Sequence, residues 1–170
     1  RNMEPYAKQY GAGQITKFIG EQLNGSLDWD YLAEIRKSWD GKMLLKGILH
    51  GQDAARAVNL GIDGIVVSNH GGRQLDAAPA PLAKLAAIRA AVGPDLPLVV
   101  DSGIRSGLDV VRALSAGADF VLLGRGFMYA VAALGEKGGH HAANILLEEM
   151  RDVMAQLGLK TIDEVKQLNR

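Results

Sequence analysis

The sequence predicts an α/β protein: the C-terminal half (strands 5–8) of a (β/α)8, or TIM, barrel with extra C-terminal helices. Three observations carry that expectation. From Gly41 onward, short apolar runs alternate with amphipathic helical stretches. A βα unit repeats. Fourteen positions separate Gly47 from Gly61 and again Gly103 from Gly117, and the second pair lies 56 residues after the first. Each pair ends in a similar phrase, Gly61-Ile62-Asp63-Gly64-Ile65-Val66-Val67 against Gly117-Ala118-Asp119-Phe120-Val121-Leu122-Leu123. Finally, unusual polar residues stand at the C-terminal end of all four apolar runs. A small open doubly wound sheet places its site at one switch point, whereas a barrel gathers every strand tip at one mouth. Four units make half of a barrel whose usual length is about 250 residues.

Each element has a local reason. Residues 1–27 show no clean period and hold Pro5 and four glycines. They are expected to form a mobile lead-in, the tail of a long loop, with a short helix near 14–23. Asp28 reads as an N-cap, followed by Trp29, Leu32, Ile35 and Trp39 at steps of three and four, one apolar helical stripe. Strands are expected at 43–48, 64–68, 96–101 and 120–123. Each is a nearly continuous apolar run, as in a parallel sheet buried on both faces. The helix expected at 52–60 carries Ala54, Ala57 and Val58 on one face. That at 81–92 opens on Pro81, a favoured first-turn residue, and carries Leu82, Leu85, Ile88 and Val92. That at 106–116 starts at Ser106 and carries Leu108, Val111 and Leu114. Helices at 126–134 and 140–157 follow, the latter packing through its 150–157 end. A last helix at 162–168 opens on a Thr161/Glu164 capping box.

Composition narrows the function. The chain has 170 residues, about one domain, and 48% are apolar. Nineteen basic residues balance 19 acidic ones, which argues against a nucleic-acid binder and a strongly basic membrane-surface protein. The absence of cysteine excludes disulfides, a thiol nucleophile and every cysteine-based metal site. No apolar run approaches the roughly 18 residues of a membrane span, and no signal peptide is visible. The chain opens on Arg1, inside what reads as a loop, and is expected to be a piece of a longer polypeptide.

The chemistry-bearing residues sit at the strand tips. Ser68-Asn69-His70-Gly71-Gly72-Arg73-Gln74-Leu75-Asp76 follows the second strand. His70 is the natural proton acceptor, since imidazole exchanges protons near neutrality. Arg73 offers a planar fork that matches a carboxylate. The glycines between them allow a ligand and the backbone to approach closely. A base beside a carboxylate clamp suits a small organic acid that loses a proton; the plain alternative is a capped turn with a solvent-facing histidine. Lys46 stands inside an apolar strand, where a cation is costly unless it faces a polar cavity or an anion, or snorkels from the strand end. Asp101-Ser102-Gly103-Ile104-Arg105 and Gly124-Arg125-Gly126 follow the third and fourth strands. Loops there commonly bind phosphate in barrels. Asp101 can accept bonds from sugar-like hydroxyls. Together they imply a phosphorylated ligand with a hydroxylated chain. His50, His140 and His141 read as turn or solvated residues, and no metal is expected. Asp63 and Asp119 read as turn residues, and Asp30, Asp53 and Asp109 as caps or first-turn acids.

At these residues the chain resembles the FMN-dependent L-2-hydroxy-acid oxidases and dehydrogenases, a family that includes glycolate oxidase, L-lactate dehydrogenase and mandelate dehydrogenase. The 68–76 segment looks like the family signature. The resemblance continues through Lys46-Gly47-Ile48, Asp101-Ser102-Gly103-Ile104-Arg105 and Leu123-Gly124-Arg125, and covers about residue 26 to the end. Trp39-Asp40-Gly41 is similar to the bacterial respiratory L-lactate dehydrogenases. The resemblance implies FMN as cofactor and a small, L-lactate-like 2-hydroxy acid as substrate, oxidised to the 2-oxo acid. It makes His70 the base and Arg73 the carboxylate clamp. Lys46 would stabilise charge on the reduced flavin, and Ser68 would contact the ring. Asp101, Ser102, Gly103, Ile104 and Arg105 would line the ribityl and phosphate region, and Gly124 and Arg125 would bind the phosphate.

The family also uses first-half residues that this chain lacks, including two tyrosines and an aspartate that orients the base. Catalysis is therefore expected to need a complementary N-terminal half of the barrel. A homo-oligomer is expected, in the cytoplasm, with peripheral inner-membrane contact through the long loop whose tail residues 1–25 resemble. A non-catalytic half-barrel scaffold that binds FMN or phosphate and pairs with itself is the alternative. An isomerase or aldolase barrel is a weaker one, because it gives His70-Gly71-Gly72-Arg73 no clear task.

Overall fold

The computed structural model of the chain describes residues 27–168. The lead-in up to residue 26, with its expected helix near 14–23, lies outside them. The chain forms two compact units, Arg1–Asp40 and Gly41–Arg170. In the first, α1 (Trp29–Ser38) begins at Asp28, whose carboxylate accepts the Tyr31 N–H at 2.9 Å. Trp29, Leu32 and Ile35 are half-buried. Trp39, expected on the same stripe, is exposed and sits past the helix end as its C-cap.

The second unit is four strand–helix steps. Strands β1 (Leu44–Ile48), β2 (Gly64–Val67), β3 (Leu98–Val100) and β4 (Phe120–Val121) form one parallel sheet. Between them lie α2 (Gly51–Asn59), α3 (Pro81–Val92) and α4 (Gly107–Ser115), and after β4 come α5 (Arg125–Leu134), α6 (Gly138–Gln156) and α7 (Ile162–Gln167). The strand order is β1-β2-β3-β4. A doubly wound sheet reverses its order at a switch point, and this one does not, so the sheet is a barrel segment. The strands are shorter than expected: β1 and β3 begin later, and β2, β3 and β4 end earlier, the last two because 101–103 and 122–124 already turn toward the next helix.

The expectation of burial on both faces holds for β2 and β3, all of whose residues are buried. It fails for β1 and β4: Leu44 is 55% exposed and Phe120 67%. Each of these strands has a single neighbour, so one edge and much of one face stay open. The core lies between β2 and β3 and the helices that cover them, around Ile65, Val67, Leu98, Val100, Leu85, Ile88, Ala54 and Ala57, all fully buried. Val58, Leu108 and Leu157 were expected to pack and are exposed.

The sequence repeat is a structural repeat. Gly47, Gly61, Gly103 and Gly117 all take left-handed φ, between 82° and 108°, which costs glycine nothing. After each second glycine the chain closes the preceding helix the same way, with Ile62 N–H on Ala57 O and Ala118 N–H on Ala113 O. Asp63 then accepts the Met43 N–H at 3.0 Å, as Asp119 accepts that of Leu98 at 2.9 Å. These aspartates do more than make turns: they stitch the N-terminal ends of neighbouring strands together. Lys42 pairs with Asp63, while Arg89 and Lys166 pair with Asp119.

Asp109 completes a capping box with Ser106, and Glu164 one with Thr161. His50 caps α2 by accepting the Gln52 N–H on Nδ1 at 3.3 Å. Glycine lets α6 close on its neighbours: a Cβ on Gly107 would meet Met150 and Glu149, and one on Gly138 would meet the Ala130 carbonyl.

Candidate functional site

All four strand tips open on one side. On β1 a bulge at Gly47 shifts the register, with Lys46 opposite Val66 but Ile48 opposite Val67. Lys46 Nζ reaches across the tips, 2.5 Å from Ser68 Oγ at the end of β2 and 2.7 Å from Asp101 Oδ2 at the end of β3. Ser68 is 1% exposed and lies beneath the site. Its hydroxyl accepts the His70 N–H at 3.0 Å. His70, Gly71 and Gly72 are three consecutive left-handed residues, φ 55°, 68° and 74°. This tight turn brings His70 and Arg73 to the mouth. Its Gly71 N–H bonds Ser102 Oγ at 2.8 Å and its Gly71 carbonyl accepts from Arg125 at 3.2 Å.

Lys46, His70, Arg73, Asp101, Ser102, Gly103, Ile104, Arg105, Gly124 and Arg125 all line one open cavity of about 450 Å3. Of the residues singled out from sequence, only Ser68 is absent from that wall. It lines an adjoining cavity of about 380 Å3, which shares Lys46 and His70. Leu122, Leu123, Gly126 and Met128 also line the larger cavity; Leu123 and Gly126 stood in the motifs around Gly124-Arg125 without a role of their own, and Leu122 and Met128 were not anticipated. Leu122 and Leu123 read as strand; β4 ends at Val121, which moves them to the mouth. Met128, one turn into α5, carried no signal beyond its place after the Gly124-Arg125-Gly126 turn.

Charge defines what this cavity can hold. Lys46, Arg73, Arg105 and Arg125 face a single carboxylate, Asp101, already paired with Lys46. Burial alone would raise the Asp101 pKa. The Lys46 hydrogen bond, then those from Ser68 and Ser102, outweigh it and hold the carboxyl below its ordinary value. The surplus is cationic and suits an anion.

Two helices begin at this mouth, and they differ. Around the start of α4, Asp109 accepts the Arg105 and Ser106 N–H groups, Glu149 that of Gly107 at 2.6 Å, and Ser106 Oγ that of Asp109. That end is filled by the chain's own acceptors. The N-cap of α5 is Gly124, with no side-chain cap. A Cβ on Gly103, Gly124 or Gly126 would meet nothing within 4 Å. Of these two helix starts, the one the chain leaves without a side-chain cap is that of α5, beside Arg125, and the dipole and free amides of such an end suit an anion. Space free of side chains, a set of guanidinium and ammonium donors, and the Asp101 carboxylate fit a phosphate joined to a hydroxylated chain and a ring.

Successive βα units whose tips share a cationic cavity define half of an anion-binding (β/α)8 barrel. The FMN-dependent dehydrogenase family matches residues 2–169, and the chain belongs to that family. It is 51% identical over 158 residues to the L-lactate dehydrogenase of Bartonella tribocorum, covering 93% of this chain and 41% of that protein. It is 46% identical over 167 residues to the L-lactate dehydrogenase of Acinetobacter baylyi, covering 98% and 44%. Among solved structures it superposes on the monotopic membrane protein (S)-mandelate dehydrogenase with a TM-score of 0.84 and 38% identity, over 95% of this chain and 42% of that one. A mandelate oxidase variant carrying a monooxide FMN adduct gives 0.78 and 44%, over 83% and 45%. The chain thus spans about two fifths of the length of these relatives.

Proposed function

We propose that this chain forms the base, clamp and phosphate-binding side of an FMN-dependent L-2-hydroxy-acid dehydrogenase or oxidase, acting with the remaining barrel half on an L-lactate-like substrate. The observation that carries it is the meeting of His70, Arg73 and Lys46 with the uncapped α5 N-terminus at one cationic cavity. Bound FMN supplies the acceptor for the hydrogen that leaves the substrate carbon. Arg73 binds the substrate carboxylate through its fork. His70 takes the proton from the substrate hydroxyl. Lys46, steadied by Ser68 and Asp101, would hold positive charge beside the flavin ring. Asp101, Ile104 and Arg105 would flank the ribityl chain, while Gly124, Arg125 and the α5 backbone would hold the phosphate.

The reading extends to surroundings. Among the described residues no helix is long and apolar enough to cross a membrane. The likeness to a monotopic membrane protein supports peripheral membrane contact, which this reading assigns to the cytoplasmic side. The open edges of β1 and β4 support closure by a complementary half.

The test is anaerobic mixing of the FMN-loaded protein, with the complementary barrel half present, with L-lactate and L-mandelate. Bleaching of the flavin absorbance is expected. His70→Gln should keep the colour and slow bleaching by roughly 10²–10⁴. A parental rate in that variant would refute the base assignment, and no bleaching by any L-2-hydroxy acid would refute the activity.

A further inference from the structure

Only two non-glycine residues among those described adopt positive φ: His70 at 55° and Ser102 at 73°. They are linked. The N–H of Gly71, next to His70, donates to Ser102 Oγ at 2.8 Å, and that hydroxyl donates to Asp101 Oδ1 at 2.7 Å. The left-handed region is unfavourable for serine and free for glycine. The next residue, Gly103, takes the same region at φ 89°. A second glycine at 102 would relieve the backbone, so serine is useful there only for its hydroxyl.

The two bonds give that hydroxyl a direction. Its proton is committed to Asp101, so a lone pair faces the Gly71 amide. Ser68 does the matching work one residue earlier, accepting the His70 N–H and bonding Asp101. Two consecutive amides of the turn are thus each held by a serine tied to one carboxylate. The other oxygen of that carboxylate holds Lys46.

We propose that Ser102 is a positioning residue: it fastens the left-handed His70–Gly72 turn to Asp101 and so sets where His70 and Arg73 stand, without touching substrate. This departs from the cofactor contact expected of Ser102. It rests on the reading of His70 and Arg73 as the substrate-facing pair, and the fastening itself can be tested apart from that reading.

Two variants separate hydroxyl from backbone. Ser102→Gly relieves the strain and removes the hydroxyl. Ser102→Thr keeps the hydroxyl and worsens the strain, because a branched Cβ is poorly tolerated at positive φ. Hydrogen exchange over the peptide containing Gly71, measured without FMN or substrate, should speed up about tenfold in the glycine variant and much less in the threonine variant. The glycine variant should melt no lower than the parent, and the threonine variant lower. In the FMN-loaded protein, the glycine variant should lose about tenfold or more in kcat with little change in FMN affinity, and threonine should restore much of that loss. Unchanged exchange at Gly71 overturns the fastening. A fall in FMN affinity with kcat retained overturns the positioning role in favour of a flavin contact. If the parent bleaches with no hydroxy acid while exchange responds as stated, the activity reading fails and the fastening stands.

Discussion

Lys46 Nζ lies 2.7 Å from Asp101 Oδ2, so the tip of β1 is tied to the tip of β3 over the intervening β2. Ser68, just past the end of β2, fills the gap and bonds both. One ion pair thereby spans three strands at the mouth, where the barrel's binding groups stand.

This pair makes acid stability depend on Asp101. Its folded-state pKa is depressed: burial would raise it, but the bonds from Lys46, Ser68 and Ser102 prevail. A depressed carboxyl stabilises the fold above its unfolded value of about 3.9 and loses that contribution as pH falls through the lower folded value. Asp119 adds in the same direction: burial opposes, and the Leu98 N–H, Arg89 and Lys166 outweigh it. Melting temperature should therefore fall as pH drops below about 4. Asp101→Asn should start lower and show a shallower fall. An unchanged slope in the variant would refute the linkage.

Arg89 should be a stability residue with no part in chemistry. It donates to the carbonyls of Gly93, Pro94, Leu96 and Gly117 and to Asp119 at 2.7 Å. All of these lie at the strands' N-terminal end, away from the mouth. Arg89→Met leaves those acceptors short of donors and should cost about 3 kcal/mol in urea unfolding. Arg89→Lys should recover only part of that, since an ammonium cannot replace the fork. Ligand affinity should not move in either variant.

Phosphate affinity should follow α5 and not α4. Arg125→Gln should weaken FMN binding by about tenfold or more, with a smaller effect at high salt. Glu149→Gln, which alters the acceptor at the α4 N-terminus, should change stability more than FMN affinity. Titration of flavin fluorescence against each variant decides between the two ends. Equal losses would mean that both helices hold the phosphate.

The sequence displayed the mouth far better than its wiring. Apolar runs ending in Lys46, Ser68, Asp101 and Gly124 revealed which residues would converge, because a parallel sheet places every strand's C-terminal end on one side. Nothing local announced that Ser102 would turn left-handed to reach Gly71, or that Glu149 would cap a helix 42 residues earlier. Such contacts depend on tertiary approach, which periodicity does not encode. The apolar runs at β1 and β4 likewise gave no sign of their exposure. Hydrophobic pattern reports what a strand could bury, while its neighbours decide what it does bury.

Close helix contact yields the last prediction. Gly107 follows the Ser106 N-cap with nothing in the sequence to mark it, yet a Cβ there would run into the backbone of Met150 and the side chain of Glu149. Its own N–H is bonded to Glu149. Its φ is ordinary, so glycine is required by the approach of α6 and not by the backbone angle. Gly107→Ala improves helix propensity by about 1 kcal/mol in an open helix, but here the overlap with backbone atoms cannot be relieved by a rotamer change. The variant should therefore be destabilised by about 2 kcal/mol or more, through displacement of α6 from α4. Gly139→Ala, near the start of α6, where an added Cβ meets nothing within 4 Å, should be neutral or stabilising in the same thermal melt. If both alanines behave alike, close packing at the α4–α6 crossing is not what requires glycine at 107.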